Sequence, residues 1–264
     1  MAVIISIVNQ KGGVAKTTTA INLAAALGAA GKRVLLVDLD PQGNATAGLG
    51  IKGAAKRELE FTTYEVIMGD ARPQQAVIQT NFQNLSLMPS TQSLAEAEVK
   101  LLRLENRNLQ LKKALLMIKE EYDIIIVDCL PSLGVLALNG LSASDRLIIP
   151  MQCEPYSLEG VAELITIVKR VKKSANKNLQ IMGIVFTMVD NKLKVNREVM
   201  RAIKSKFPEE IFFKTEIPRN VKLTEAPSHG EPIMYYDPSS KGTEAYRKLS
   251  KEVLTRCKKA EDML

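Results

Sequence analysis

The 264-residue sequence contains no tryptophan, a single histidine (His229) and three cysteines, and its aromatic content is only 5%. No run of about 18 apolar residues occurs, so no segment reads as a membrane-crossing helix. The first residues lack the charged region and small-residue cleavage site of a secretory signal. Cys129, Cys153 and Cys257 are odd in number and far apart. That spacing suits neither a disulfide framework nor a paired-cysteine metal or iron–sulfur site, and a reducing cytosol fits best. No second His, Cys or carboxylate cluster joins His229, which reads as structural. There is no internal repeat, low-complexity tract or Pro/Gly-rich linker, so residues 1–264 are expected to form one domain. What is present is ordinary for a globular chain, 46% hydrophobic and 25% charged, which excludes disordered, fibrous and collagen-like classes.

The charge is unevenly placed. The chain carries +7 in total, yet residues 169–222 hold fourteen Lys/Arg against five Asp/Glu, a surplus of nine. The rest of the chain is therefore slightly acidic. Such asymmetry points to a polyanion partner, although a Lys-rich helix face can also be merely solvated.

Apolar, β-branched runs recur at residues 2–8, 34–38, 85–88, 124–128, 147–150 and 181–186. Runs apolar at every position read as strands covered on both faces. Helical patterns separate most of them: 20–27 (stopped by Gly31), 92–121, 133–142, 157–174, 194–206 and 240–258. Strands alternating with helices predict an α/β fold with a doubly wound, mostly parallel sheet flanked by helices. The least regular stretch is 41–60, after the second strand.

Between the first strand and first helix lies Gln10-Lys11-Gly12-Gly13-Val14-Ala15-Lys16-Thr17-Thr18. This is the context a phosphate-binding loop requires. Glycines let successive N–H groups turn toward phosphate oxygens, and the helix N-terminus adds its dipole. Lys16 is expected to offset β/γ-phosphate charge and Thr17 to offer its hydroxyl to Mg²⁺. The strict pattern GxxxxGK[ST] is not met, because Gln10 and Ala15 stand at its glycines; Gly12 and Gly13 must supply the turn. Two further segments end apolar strands in carboxylates. One is Asp38-Leu39-Asp40-Pro41-Gln42-Gly43, and the other is Ile124 to Asp128 followed by Cys129-Leu130-Pro131-Ser132-Leu133-Gly134. A carboxylate at a strand's C-terminal end faces the ligand crevice of an open α/β sheet.

The Lys-Gly-Gly-x-x-Lys-Thr combination resembles the deviant Walker A motif of the ParA/MinD group of P-loop ATPases. Gly is common in that group where Ala15 stands, and Ala carries a conformational cost if the place needs φ > 0. The resemblance implies ATP and Mg²⁺ as cofactors and a weak, partner- and DNA-stimulated ATPase. It implies that Lys11, the signature lysine, reaches the partner's phosphates in a nucleotide-sandwich homodimer, and that Lys11, Lys16 and Asp40 serve catalysis. Residues 11–18 would line the nucleotide, including Val14 and Thr18. Asp40 would position the attacking water and stand near the metal. Asp128 would end a Walker B strand and hold Mg²⁺ through water, while Asp38 could be a metal-side or structural group. Leu130 stands where the family usually has the first of two prolines, which would make that loop less stiff. Cys129 reads as a small buried residue.

Residues 217–230, from Ile217-Pro218-Arg219-Asn220 to His229-Gly230, are similar to the chromosomal ParA/Soj signature, in which Pro218 and Asn220 would lie near the adenine. The motifs span residues 3–258. The resemblance is to the short ParA type, without an N-terminal DNA-binding extension. It implies a cytoplasmic, nucleoid-associated segregation ATPase that binds double-stranded DNA non-specifically when ATP-bound and answers to a ParB-like partner. The family's DNA-contacting positions correspond to Lys192 and Lys222, with Lys194, Arg197, Arg201 and Arg219 nearby. Lys194, Arg197, Arg201 and Lys204 would form one stripe if 194–206 is helical. The alternative is a MinD-like membrane-surface ATPase. The thin apolar face and acidic end of residues 249–264 do not predict a stable membrane anchor.

Overall fold

The computed structural model describes residues 1–132, 134–154, 157–190 and 192–261. Among the described residues, seven strands form one sheet: β1 (Val3–Ile7), β2 (Val34–Leu39), β3 (Ile78–Gln79), β4 (Leu85–Met88), β5 (Ile124–Cys129), β6 (Arg146–Gln152) and β7 (Gln180–Thr187). Their order is β3-β4-β2-β5-β1-β6-β7. Every pairing is parallel except β3 with β4.

The helices are α1 (Lys16–Ala29), α2 (Asn44–Gly48), α3 (Gly53–Arg57), α4 (Thr63–Met68), α5 (Pro73–Ala76), α6 (Leu94–Leu101) and α7 (Gln110–Leu116). They continue as α8 (Val135–Ala143), α9 (Ser157–Ser174), α10 (Lys194–Lys204), α11 (Val221–His229), α12 (Ile233–Tyr236) and α13 (Lys241–Glu261). The sheet is covered on both faces. One face packs against α1, α11 and α13, the other against α6 through α10. This is why the strands are apolar at nearly every position rather than at alternate ones. In α1, Leu23 and Leu27 are fully buried, each contributing about 1.5–3 kcal/mol through removal from water.

The expected strands are all present, β1 shorter by one residue at each end and others extended by one or two residues. The helical pattern over 92–121 is corrected to two helices, α6 and α7, joined by turns. Leu102 and Leu104 fall outside the buried stripe and are exposed. Asn139 of α8 then takes the intervening backbone: its Nδ2 donates to Arg107 O (2.7 Å) and its Oδ1 accepts from Leu111 N (3.1 Å). A side chain that satisfies the turn's backbone groups competes directly with helix continuation. The irregular stretch 41–60 contains two single-turn helices, α2 and α3.

Parallel strands place their C-terminal ends along one rim. β5 lies between β2 and β1, and their register sets Asp38 beside Asp128 and Ile7 beside Asp128. The loop after β1 therefore opens beside β5 and β2, two neighbouring strands that end in carboxylates. This is the crevice where ligands of open α/β sheets bind.

Candidate active site

The loop from Asn9 to Ala15 is held from two strands, β6 and β7. Asn9 Nδ2 donates to Pro150 O (2.8 Å), and Asn9 Oδ1 accepts from Lys11 N (3.0 Å). Gln152 Nε2, at the end of β6, donates to Gly13 O (3.1 Å). Thr187 Oγ1, at the end of β7, donates to Val14 O (3.1 Å). So braced, the loop has its Lys11, Gly13 and Val14 carbonyls occupied and leaves its N–H groups from residue 12 onward free. Among the described residues, no protein acceptor pairs with the N–H groups of residues 12–18. Seven adjacent donors at a helix N-terminus form an anion cradle.

Gly13 sits at φ 75° and Ala15 at φ 65°, ψ 35°. The left-handed region is natural for glycine and costs an alanine about 1 kcal/mol. Ala15→Gly is expected to raise Tm by about 1–3 °C, since relief of strain outweighs the added freedom of the unfolded chain. Ala15→Val should lower Tm by more than that. A thermal melt of both variants checks the pair, and an unchanged or reversed order overturns it.

Lys16 is buried, and its Nζ donates to Lys11 O (3.0 Å). Burial lowers its pKa below the usual lysine value, while Asp128, Cys129 and Asp40 pull it back upward. Asp128 is fully buried, and neither carboxylate oxygen has a hydrogen-bond partner. Burial, then the charge of Asp38, raises its pKa well above the carboxylate range, and the neighbouring Thr17 hydroxyl opposes that rise. An orphaned buried carboxylate is costly. Next to a threonine hydroxyl and a phosphate cradle, it fits a divalent ion with its water shell. Mg²⁺ ordinarily takes one or two carboxylates, water and phosphate oxygens rather than an all-protein cage. Among the described residues there is no group of three or more His, Cys, Asp or Glu poised to hold a metal by themselves.

Asp38 and Asp40 have different environments despite alternating on one strand end. Asp38 is fully buried. Its Oδ2 accepts from Thr46 N and Thr46 Oγ1 (2.7 Å each), and its Oδ1 accepts from Asp40 N (3.2 Å). Burial pushes its carboxyl up to about 6. The Thr46 hydroxyl oxygen in turn accepts from Ser90 N (2.8 Å). Asp38 thus braces the loop and leaves the crevice to Asp40. Asp40 is 9% exposed, and only its Oδ1 is engaged, accepting from Gln42 N (2.9 Å). Gly43 closes this turn at φ 63°, where a Cβ would come within 2.6 Å of Ser90 O.

Lys11 lies at the surface, where its Nζ pairs with Glu154 of its own chain. Pro218 bridges Val189 beyond β7, and Asn220 caps α11 by accepting from Lys222 N (2.8 Å). Both lie past the C-terminal end of β7, on the rim that carries the loop. Leu130 packs partly buried against the core, and Leu133 lies outside the described residues. Burial pushes the Cys129 thiol up to about 12, as suits a packing residue. His229 stacks on Tyr236 at 4.8 Å.

The basic stripe forms on α10 as expected. Met200 and Ile203 face the core, while Lys192, Lys194, Arg197, Arg201 and Arg219 are exposed. Arg219 N donates to Val189 O (3.1 Å) and Leu193 N to Asp190 O (3.1 Å), so Arg219 and Lys192 share one end of β7. Lys222 differs. It is half-buried and pairs with Glu225 (2.9 Å), whose Oε2 also accepts from Tyr236 Oη (2.9 Å). Among the described residues no helix is long and apolar enough to cross a membrane. The proposed end segment 249–264 is helical to Glu261, and residues 262–264 lie outside the described residues.

Sequence reasoning missed Gln152, Thr187, Thr46 and Glu154. Polar residues ending apolar strands were a readable signal for the first two. Thr46 and Glu154 become visible only once the chain is folded.

The AAA domain family matches residues 2–181. The chain is 49% identical over 253 residues to the sporulation initiation inhibitor protein Soj of Bacillus subtilis, covering 96% of this chain and 98% of that protein. It is 47% identical over 249 residues to the chromosome-partitioning ATPase Soj of Treponema pallidum, covering 94% and 96%. The structure superposes with TM-score 0.85 and 36% identity on cobyrinic acid a,c-diamide synthase from Mycobacterium smegmatis, solved with a bound ATP analogue and magnesium. That match covers 98% of this chain and 96% of the other.

Proposed function

The chain belongs to the Soj/ParA family of P-loop partitioning ATPases, and from that premise we propose that it is a DNA-segregation ATPase whose ATP-bound homodimer grips DNA without regard to sequence. The observation that carries the nucleotide half is the cradle of unpaired N–H groups at residues 12–18, opening beside the strand-end carboxylates of β5 and β2. In this reading ATP lies across residues 11–18, with Pro218 and Asn220 near the base. Lys16 offsets the phosphate charge. Thr17 would hold Mg²⁺ directly and Asp128 would hold it through water. When bound, Mg²⁺ neutralises charge on the transferred phosphoryl group. Asp40, with one oxygen engaged and the other available, orients the attacking water. Lys11 serves the partner's phosphates, which requires it to exchange Glu154 for the partner's nucleotide.

The DNA half rests on charge. Lys192, Lys194, Arg197, Arg201, Arg219 and Lys222 are positions for phosphate contacts, which supply affinity without sequence information. Joining two such surfaces raises the effective concentration of the second on DNA. Hydrolysis, stimulated by DNA and a ParB-like protein, would separate the surfaces and release the nucleoid.

The deciding experiment is DNA binding over a salt series without nucleotide, with ADP and with ATP. ATP should tighten binding by at least tenfold and steepen the salt slope. Lys192→Ala with Arg197→Ala should flatten that slope by about 2. Binding of equal strength in all three nucleotide states would refute the switch.

A further inference from the structure

The sequence surplus of nine positive charges is only partly used by the positions assigned above. Its first block, Lys169, Arg170, Lys172, Lys173 and Lys177, lies on the last turns of α9 and the turn that follows. No acidic residue occurs anywhere in residues 164–189. All five cations are exposed, and none forms an ion pair among the described residues. The expected contact residues are more compensated. Lys194 lies 3.6 Å from Glu198, and Lys222 pairs with Glu225 at 2.9 Å.

The helix sets the geometry of the block. Val161, Leu164, Val168 and Val171 bury one face of α9. At about 100° per residue, positions 169, 170, 172 and 173 spread over about 160° on the opposite side. α9 and α10 pack on the same face of the sheet. Lys177, just past α9, and Lys204, the last residue of α10, line one groove at the N-terminal edge of the sheet. That groove has a volume of about 1500 Å³. Of its four acidic lining residues, Asp145 pairs with Lys119 (3.2 Å) and Glu252 accepts from Lys214 N (2.9 Å) and Thr215 N (2.8 Å), while Glu209 and Glu210 are exposed. Lys204 pairs with Glu216 (3.8 Å), and Glu209 and Glu210 line the same groove, so the α9 block is a separate basic surface beside the α10 stripe.

We propose that the C-terminal end of α9 is a second phosphate-contacting surface for double-stranded DNA, on the same face of the sheet as the α10 stripe. The inference rests on the DNA-binding reading and extends its footprint to the opposite rim of the sheet. Uncompensated, solvated cations contribute most to counterion release, because no protein acid must first be displaced.

The test replaces Lys169, Arg170, Lys172 and Lys173 together by Gln and follows ATP-dependent binding to a mixed-sequence duplex across a salt series. The control removes the same charge elsewhere, with Arg57, Arg103, Lys113 and Arg247 replaced by Gln. The α9 variant should lose about 2–3 from the salt slope, at about 0.9 per phosphate contact, while the control stays within 1 of wild type. Basal ATP turnover should be unchanged in both. Lys172 and Lys173 also complement the carbonyl end of the helix dipole. If that is their whole role, Tm falls and the slope does not, which overturns the proposal. Loss of co-sedimentation with anionic phospholipid vesicles, with the DNA slope intact, also overturns it and assigns the surface to a membrane. A wild-type protein that binds no duplex in any nucleotide state would instead remove the DNA reading itself.

Discussion

Asp40→Ala is expected to lower ATP turnover about 10²-fold or more while leaving ATP affinity within a few-fold. The reason lies in how the strand end divides its two carboxylates. Asp38 is fully buried and spends its oxygens on three donors, whereas Asp40 commits one oxygen to Gln42 N and keeps the other. Asp40 also stands near enough to Lys16 to favour that ammonium's charged form. A carboxylate so placed orients a water without binding the nucleotide, so its removal should appear in kcat rather than in Kd. Phosphate release measured with DNA and the partner protein, beside equilibrium ATP binding, separates the two. Turnover unchanged in Asp40→Ala would refute the assignment. Full activity in Asp40→Asn would show that orientation suffices without the charge.

Asp38→Ala is expected to act on stability. It leaves Thr46 N, Thr46 Oγ1 and Asp40 N without an acceptor in a buried place. Three stranded donors, partly relieved by relaxation, should cost about 3–5 kcal/mol. The cost should depend on pH with a definite sign. The carboxyl's folded pKa, about 6, lies above its ordinary 3.8. The folded state therefore binds this proton more tightly than the unfolded state. Asp38 favours folding most below pH 3.8, and that contribution is lost as pH rises to about 6. Across this window the loss is about 3 kcal/mol. The difference between wild-type and variant unfolding free energies should thus be largest near pH 4 and shrink toward pH 7. A difference that is flat, or that grows with pH, would show that the folded carboxyl is not held in its neutral form. Because Asp38 anchors the loop carrying Asp40, the variant should also lose turnover, but together with Tm.

Much of this molecule is legible from short stretches of chain. Residues 124–128 and 34–38 are apolar throughout because helices cover both faces of a parallel sheet, so these strands announce the fold as well as themselves. The loop at 10–18 is legible for the same local reason: its glycines, its lysine–threonine pair and its flanking strand and helix are all adjacent in sequence. The substitution at Ala15 was readable as a question about φ, and the structure places it in the left-handed region. The pattern over 92–121 misled because its interruption comes from Asn139, which approaches from α8 and takes the turn's backbone groups.

The roles of individual charges divide along the same line. Sequence by itself determined the parallel α/β architecture, the phosphate loop, the strand-end carboxylates and the region of surplus positive charge. These depend on periodicity and backbone conformation, which act over a few residues. Only the tertiary structure decided which of those charges are spent. Asp38 is consumed by Thr46 and Asp40 is not; Lys11 is held by Glu154, 143 residues away; Lys222 is held by Glu225, while the end of α9 keeps its cations open. Compensation and burial are properties of groups brought together in space, and a surplus counted along the chain cannot distinguish a paired lysine from a free one.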